Sequence, residues 1–194
     1  MLRFAAILSA ALLAVASVSA SADDYSDTIK LFRGAGQSAK FFGNAYGYAV
    51  FPTIGKGGIG IGGAHGSGRV YQKGAYVGDT SMTQLTIGLQ LGGQAYSQII
   101  FFQDKRAFDS FTSGNFEFGA QATAVAIKSS AGAQATTGGT SAGASSTGAA
   151  DHASTAGKYQ SGMAVFTVAK GGLMYEASIG GQKFSYEAKG SKKK

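Results

Sequence analysis

GYAVFPTIGKGGIGIGGAHGSGRVY, residues 47–71, is the stretch on which the reading of this chain turns. It opens on Tyr48-Ala49-Val50-Phe51, a run of strand character. It then carries glycine at 55, 57, 58, 60, 62, 63, 66 and 68, with Ile59, Ile61 and Ala64 between them. Glycine loses more backbone entropy on ordering than any other residue and weakens ordinary strands and helices. So dense a run is predicted where backbone bends sharply or packs closely against something else.

Strand signals continue downstream. Residues 83–93 alternate Leu85, Ile87, Leu89 and Leu91 with Gln84, Thr86, Gly88 and Gln90, which predicts a half-buried strand with its leucine side against the core. Residues 96–102 form a continuous apolar run, predicted to be a central strand. Residues 104–112 read as a short helix, capped by Asp104, with Phe108 and Phe111 inward and Gly114 past its end. In residues 115–127 the alternation returns, and Phe116, Phe118, Ala120, Ala122, Ala124 and Ala126 are predicted to share one face. Small residues on an inner face suit a tightly curved sheet or narrow barrel. Strands are also predicted at 163–169, 173–179 and 183–187, with a turn at Lys170-Gly171-Gly172.

Upstream, residues 23–44 are predicted helical. Tyr25, Ile29 and Phe32 set an apolar face, Gly34 and Gly36 divide the segment into two short helices, and Lys30, Arg33 and Lys40 give a basic side. The predicted fold is α+β and mostly β, one domain with N-terminal helices packed on a strongly curved antiparallel sheet or barrel. Ala49-Val50-Phe51 before Lys56-Gly57-Gly58 is echoed by Ala164-Val165-Phe166 before Lys170-Gly171-Gly172. Shared turn chemistry explains the echo, and so would pseudo-symmetric halves of one sheet.

Residues 1–22 read as a secretory signal peptide: Arg3, an apolar stretch rich in Ala and Leu, and Ala20-Ser21-Ala22 at the cleavage point. The domain is then expected over 23–188 and a basic tail over 189–194. The chain carries a net charge of +7, and Arg3 is the one charged residue in the leader, so +6 remains after cleavage. Four of those charges are the tail lysines Lys189, Lys192, Lys193 and Lys194. The body is only mildly basic. Residues 129–157 contain Ala, Gly, Ser and Thr with almost no charge, and are predicted to be a long disordered loop inserted between strands. The absence of cysteine rules out disulfides and a lipid-modified N-terminal cysteine.

Chemistry is sparse. Gly58-Ile59-Gly60-Ile61-Gly62-Gly63 fits G-x-G-x-x-G, but the dinucleotide fingerprint must open a helix, and Ala64-His65-Gly66-Ser67-Gly68 cannot form one. His65 and His152 have no metal-ligand spacing around them, and His65 beside Ser67 carries no nucleophile motif. No catalytic residue, metal or cofactor is expected. Basic residues do not alternate with stacking aromatics as nucleic-acid binding requires. What remains is anion recognition. Lys56 before Gly57-Gly58 and Lys170 before Gly171-Gly172 combine a charge with bare backbone N–H groups, and Arg69 and Lys73 flank the same region. These residues are the candidate lipid head-group site, with Lys30, Arg33 and Lys40 as a candidate membrane-facing helix.

Several ordered blocks resemble the SYLF domain family, the Ysc84-type actin- and lipid-binding domains. They are residues 47–71, the Gly-x-Gln-x-Gly-Gly-Gln core and following strand in 84–102, Ala107-Phe108-Asp109-Ser110-Phe111-Thr112-Ser113-Gly114, Phe118-Gly119-Ala120 and Lys170-Gly171-Gly172-Leu173. The chain departs from the family in carrying residues 129–157 where members commonly have a Gly-Pro-Gly-Arg-like turn, and the partner domains of eukaryotic members are not expected in it. The resemblance implies a non-enzymatic module that binds anionic phospholipids or phosphoinositides at a membrane surface, and in some members actin filaments. For an exported chain it implies the periplasm or cell envelope of a Gram-negative-type bacterium, or secretion. The alternative is a structural or host-facing protein–protein module.

Overall fold

The computed structural model describes residues 21–88, 93–127, 158–170 and 178–191. The predicted leader up to residue 20, the loop at 129–157, Gly171 and Gly172, most of the strand at 173–179 and the last three lysines lie outside them.

The N-terminal segment folds as three helices where two were predicted: α1 (Ala22–Gly34), α2 (Gly36–Ala39) and α3 (Phe41–Asn44). Asp24 accepts a hydrogen bond from the Ser21 backbone N–H at 2.8 Å, and Asp23 and Asp24 complement the positive end of the helix. The extended backbone at Ala35 ends α1, and the Ser38 hydroxyl donates to the Phe32 carbonyl at 2.6 Å. A second break at Lys40 separates the last two turns.

β1 (Gly47–Gln72) and β2 (Ala75–Gly88) are joined by Lys73-Gly74, both at positive φ, 49° and 83°. β3 (Gln94–Phe102) leads through Asp104 into α4 (Lys105–Thr112), whose Ala107 N–H donates to the Asp104 carboxylate at 2.8 Å. β4 (Phe116–Glu117), β5 (Val125–Ile127), β6 (Met163–Lys170) and β7 (Lys183–Ala188) complete one sheet in the order β4-β7-β2-β1-β3-β6-β5. Every pair is antiparallel except β5 with β6, which runs parallel.

β1 also doubles back on itself. Its first half pairs with β3, its second half with β2. The Lys73 N–H donates to the Tyr46 carbonyl, and the Tyr48 and Tyr71 rings stack at 5.0 Å. A Cβ at Gly47, Gly66 or Gly68 would lie 2.5, 2.9 or 2.9 Å from the carbonyl oxygens of Tyr71, Thr53 or Val50. The two halves are therefore antiparallel neighbours, and the glycines answer the prediction of close backbone approach.

The sheet curls into a half-barrel with apolar side chains on both faces. The inner core gathers Phe51, Ile54, Met82, Ile100, Phe102 and Phe184 with Phe108 and Phe111 of α4. The outer core packs Tyr25, Phe32 and Phe41 of the helices against Val50, Ile99, Phe101 and Phe166. β3 touches both, which is why its sequence is a continuous apolar run.

Two sequence expectations are corrected, and one of two open explanations of the echo is excluded. Leu85 is 85% exposed, while Gln84 is buried and donates to the Gly180 carbonyl at 2.8 Å. At Leu85 the alternating strand thus faces outward, because Met82 and Gln84 continue the inner face; Leu89 and Leu91 lie outside the described residues. Residues 115–127 do not share one face: a turn in which Ala122 N–H donates to the Gly119 carbonyl interrupts them, and Ala120 and Ala126 are exposed. The echo is not pseudo-symmetry, since Ala49 and Phe51 face the inner core and Ala164 and Phe166 the outer one.

Candidate functional site

Strand register builds one row across the sheet near the reversal of β1. Leu85 stands opposite Gly63, Lys56 opposite Gln94, and Lys170 opposite Ala95. Lys56 and Lys170 therefore flank the start of β3 from two sides, about 10 Å apart at ordinary strand spacing. Sequence proximity could not supply this arrangement: the two residues come to one end of the sheet because β1 and β6 both run antiparallel to β3.

Alternation sets their faces. Ile54 points into the inner core, so Lys56 follows the inner side; Phe166 and Val168 pack in the outer core, so Lys170 follows the outer side. The two ammonium groups straddle the end of the sheet. Lys170 Nζ donates to Thr53 Oγ1 at 2.7 Å, leaving two further donors on the same nitrogen. A cleft of about 330 Å³ between α1 and the end of β6 is lined by Lys170 and also by Asp24, Asp27 and Leu31, so acidic groups moderate the positive potential there. Gly57 and Gly58 lie in the reversal beside Lys56, with Gly58 at φ 154°. Gly171 and Gly172 lie outside the described residues.

The other members of the predicted cluster go elsewhere. Lys73 sits in the β1–β2 turn opposite Tyr46, ten positions along β1 from Lys56, or roughly 30 Å at strand rise. Arg69 has a structural task. Its guanidinium lies 4.4 Å over the Tyr25 ring and 5.1 Å from that of Tyr76, and 3.9 Å from Asp79 Oδ1. It clamps α1 onto the β1–β2 ladder. Burial, and then a hydrogen bond to Asp79, push the Tyr76 hydroxyl up to about 12. Neither the Arg69 clamp nor the exposed Leu85 was readable beforehand, because both follow from the phase of a strand and not from its composition.

The helix cations are also partnered. Lys30 is 3.1 Å from Asp27, the Arg33 guanidinium lies 4.3 Å over Phe42, and Lys40 is 5.5 Å from the Phe41 ring. His65 is exposed on β1 opposite Thr83. Among the described residues no three His, Cys, Asp or Glu side chains are grouped to hold a metal ion, and no helix is long and apolar enough to cross a membrane.

Comparison with known proteins adds two findings. Residues 83–193 match the model of the family Ysc84, described as Las17-binding protein actin regulator. The chain is also 30% identical over 160 residues to Beta cell expansion factor A of Aeromonas veronii, covering 80% of this chain and 51% of that protein. The chain thus spans about half the length of this relative.

Proposed function

This chain belongs to the Ysc84 family, and on that premise we propose that it is a non-enzymatic module that binds anionic phospholipid surfaces through the sheet end carrying Lys56 and Lys170. The observation that carries the reading is the row itself: two cations bracket β3 while Leu85, 85% exposed, stands on the neighbouring ladder. Cations for phosphates and an apolar side chain for the interface are the two contributions a peripheral membrane surface combines. Phosphoinositides are the more highly charged version of the same ligand. Catalysis has no support in the exposed, isolated His65.

Residues 1–22 fit export of the chain. The family description makes an actin-type protein contact the competing reading.

Cosedimentation with vesicles of phosphatidylglycerol and phosphatidylcholine tests the proposal. A lysine near an anionic surface contributes about 1 kcal/mol, so Lys56→Gln with Lys170→Gln should weaken partitioning roughly thirtyfold. Binding should also fall as salt rises. Unchanged partitioning of the double variant would discard this site, and pelleting with actin filaments but not with vesicles would favour the protein reading.

A further inference from the structure

The half-barrel leaves a slot where its edges approach. Among the described residues those edges are β4, two residues long, and β5, three residues long. The intervening chain spans the gap, touching the segment before β7 through the Thr123–Ser178 bridge and the Ile179 N–H to the Ala122 carbonyl. Ala122 is too small to fill the space beneath, and a cleft of about 540 Å³ remains. That is within the roughly 300–1,000 Å³ of small-molecule sites.

Its walls and its mouth differ in chemistry. An apolar strip of Phe118, Ala122, Met163 and Val165, all part of the inner core or packed on it, runs along it, and Ser110, Gln121 and Gln160 are among the polar residues that complete the wall. Arg106 and Lys158 stand among its lining residues, and Lys158 is exposed. The acid among the lining residues, Glu117, is 3.7 Å from Lys183. Arg106 is 3.7 Å from Asp104, whose other carboxylate oxygen caps α4. The guanidinium keeps donors for a second anion.

We propose that this slot binds a long-chain fatty acid, its hydrocarbon tail along Phe118, Met163 and Val165 and its carboxylate at Arg106 and Lys158. A hydrocarbon chain ending in one carboxylate matches both the apolar strip and the cationic mouth. The proposal is independent of the sheet-end reading, and its test contains no vesicles.

The full chain is titrated with cis-parinaric acid, a polyene fatty acid that fluoresces when held in apolar surroundings, below the concentration at which the probe aggregates. Saturable fluorescence, displaced by palmitate but not by inositol phosphate, is expected. Arg106→Gln with Lys158→Gln should weaken the acid roughly tenfold and leave the probe's methyl ester unaffected, since the ester cannot form the charge-assisted contacts. Ala122→Trp should fill the slot and abolish binding of both. Absence of saturable binding, equal loss of acid and ester in the charge variant, or full binding by a folded Ala122→Trp protein would overturn the proposal. Should Ala122→Trp fail to fold by circular dichroism, the acid-to-ester ratio of the charge variant still decides.

Discussion

At the scale of single residues, glycine in β1 separates into two kinds. A Cβ at Gly68 would lie 2.6 Å from the Phe51 ring and 2.9 Å from the Val50 carbonyl, against a fully buried aromatic and a backbone atom that cannot swing away. A Cβ at Gly55 would meet nothing within 4 Å. Gly68→Ala should therefore lower stability by about 2 kcal/mol or more through overpacking. Gly55→Ala should be neutral or raise it by up to about 1 kcal/mol, because alanine restricts the unfolded chain. Urea unfolding of the two variants checks this; equal effects would show that the halves of β1 are not packed as described. The glycine run announced close approach in the sequence. It did not announce which glycines were needed, since that depends on which strand lies alongside.

At the scale of elements, the parts read correctly are those governed by neighbours in sequence. Asp104 caps α4, Phe108 and Phe111 of that helix point inward, and β3 is buried on both faces. The parts misread depend on partners far along the chain. The side of β2 that carries Leu85 looked like the core side until Gln84 found the Gly180 carbonyl across the fold. The lysine pair of the candidate site became a pair only through two strand registers to β3. A related long-range device sits inside the curl. Gln98 and Gln182, both fully buried, exchange amide hydrogen bonds at 2.9 and 3.2 Å, and Gln182 also donates to the Tyr96 hydroxyl at 3.1 Å. This pair ties β3 to the segment entering β7. Gln182→Leu should cost about 1–3 kcal/mol, because it strands the Gln98 amide without water. Adding Gln98→Leu should recover part of that loss. A thermal-unfolding double-mutant cycle measures the coupling, and strictly additive losses would count against a shared pair.

At the scale of the whole molecule, alkaline pH probes how completely the curled sheet and its helices exclude water. Burial is the leading cause that raises the hydroxyls of Tyr25, Tyr48, Tyr76, Tyr96, Tyr159 and Tyr186 above the ordinary value of 10.0. They belong to different places: Tyr25 and Tyr48 to the helix-covered face, Tyr96 to the interior beside Gln182, Tyr186 to β7. In the unfolded chain each loses its proton near pH 10, while in the folded protein each keeps it to higher pH. Above pH 10 the unfolded state therefore binds fewer protons than the folded one, and stability falls as pH rises; below that range these groups contribute no pH dependence. Urea midpoints should be level on this account near pH 8–9 and drop steeply between about 10 and 12, with tyrosinate absorbance appearing together with loss of structure. Tyr96→Phe separates the two effects. At neutral pH it should cost about 1 kcal/mol through the lost Gln182 hydrogen bond, and above pH 10 it should soften the alkaline drop, because one buried ionisation has been removed. A variant whose alkaline loss is as steep as that of the parent protein would mean that water reaches Tyr96 before the fold opens.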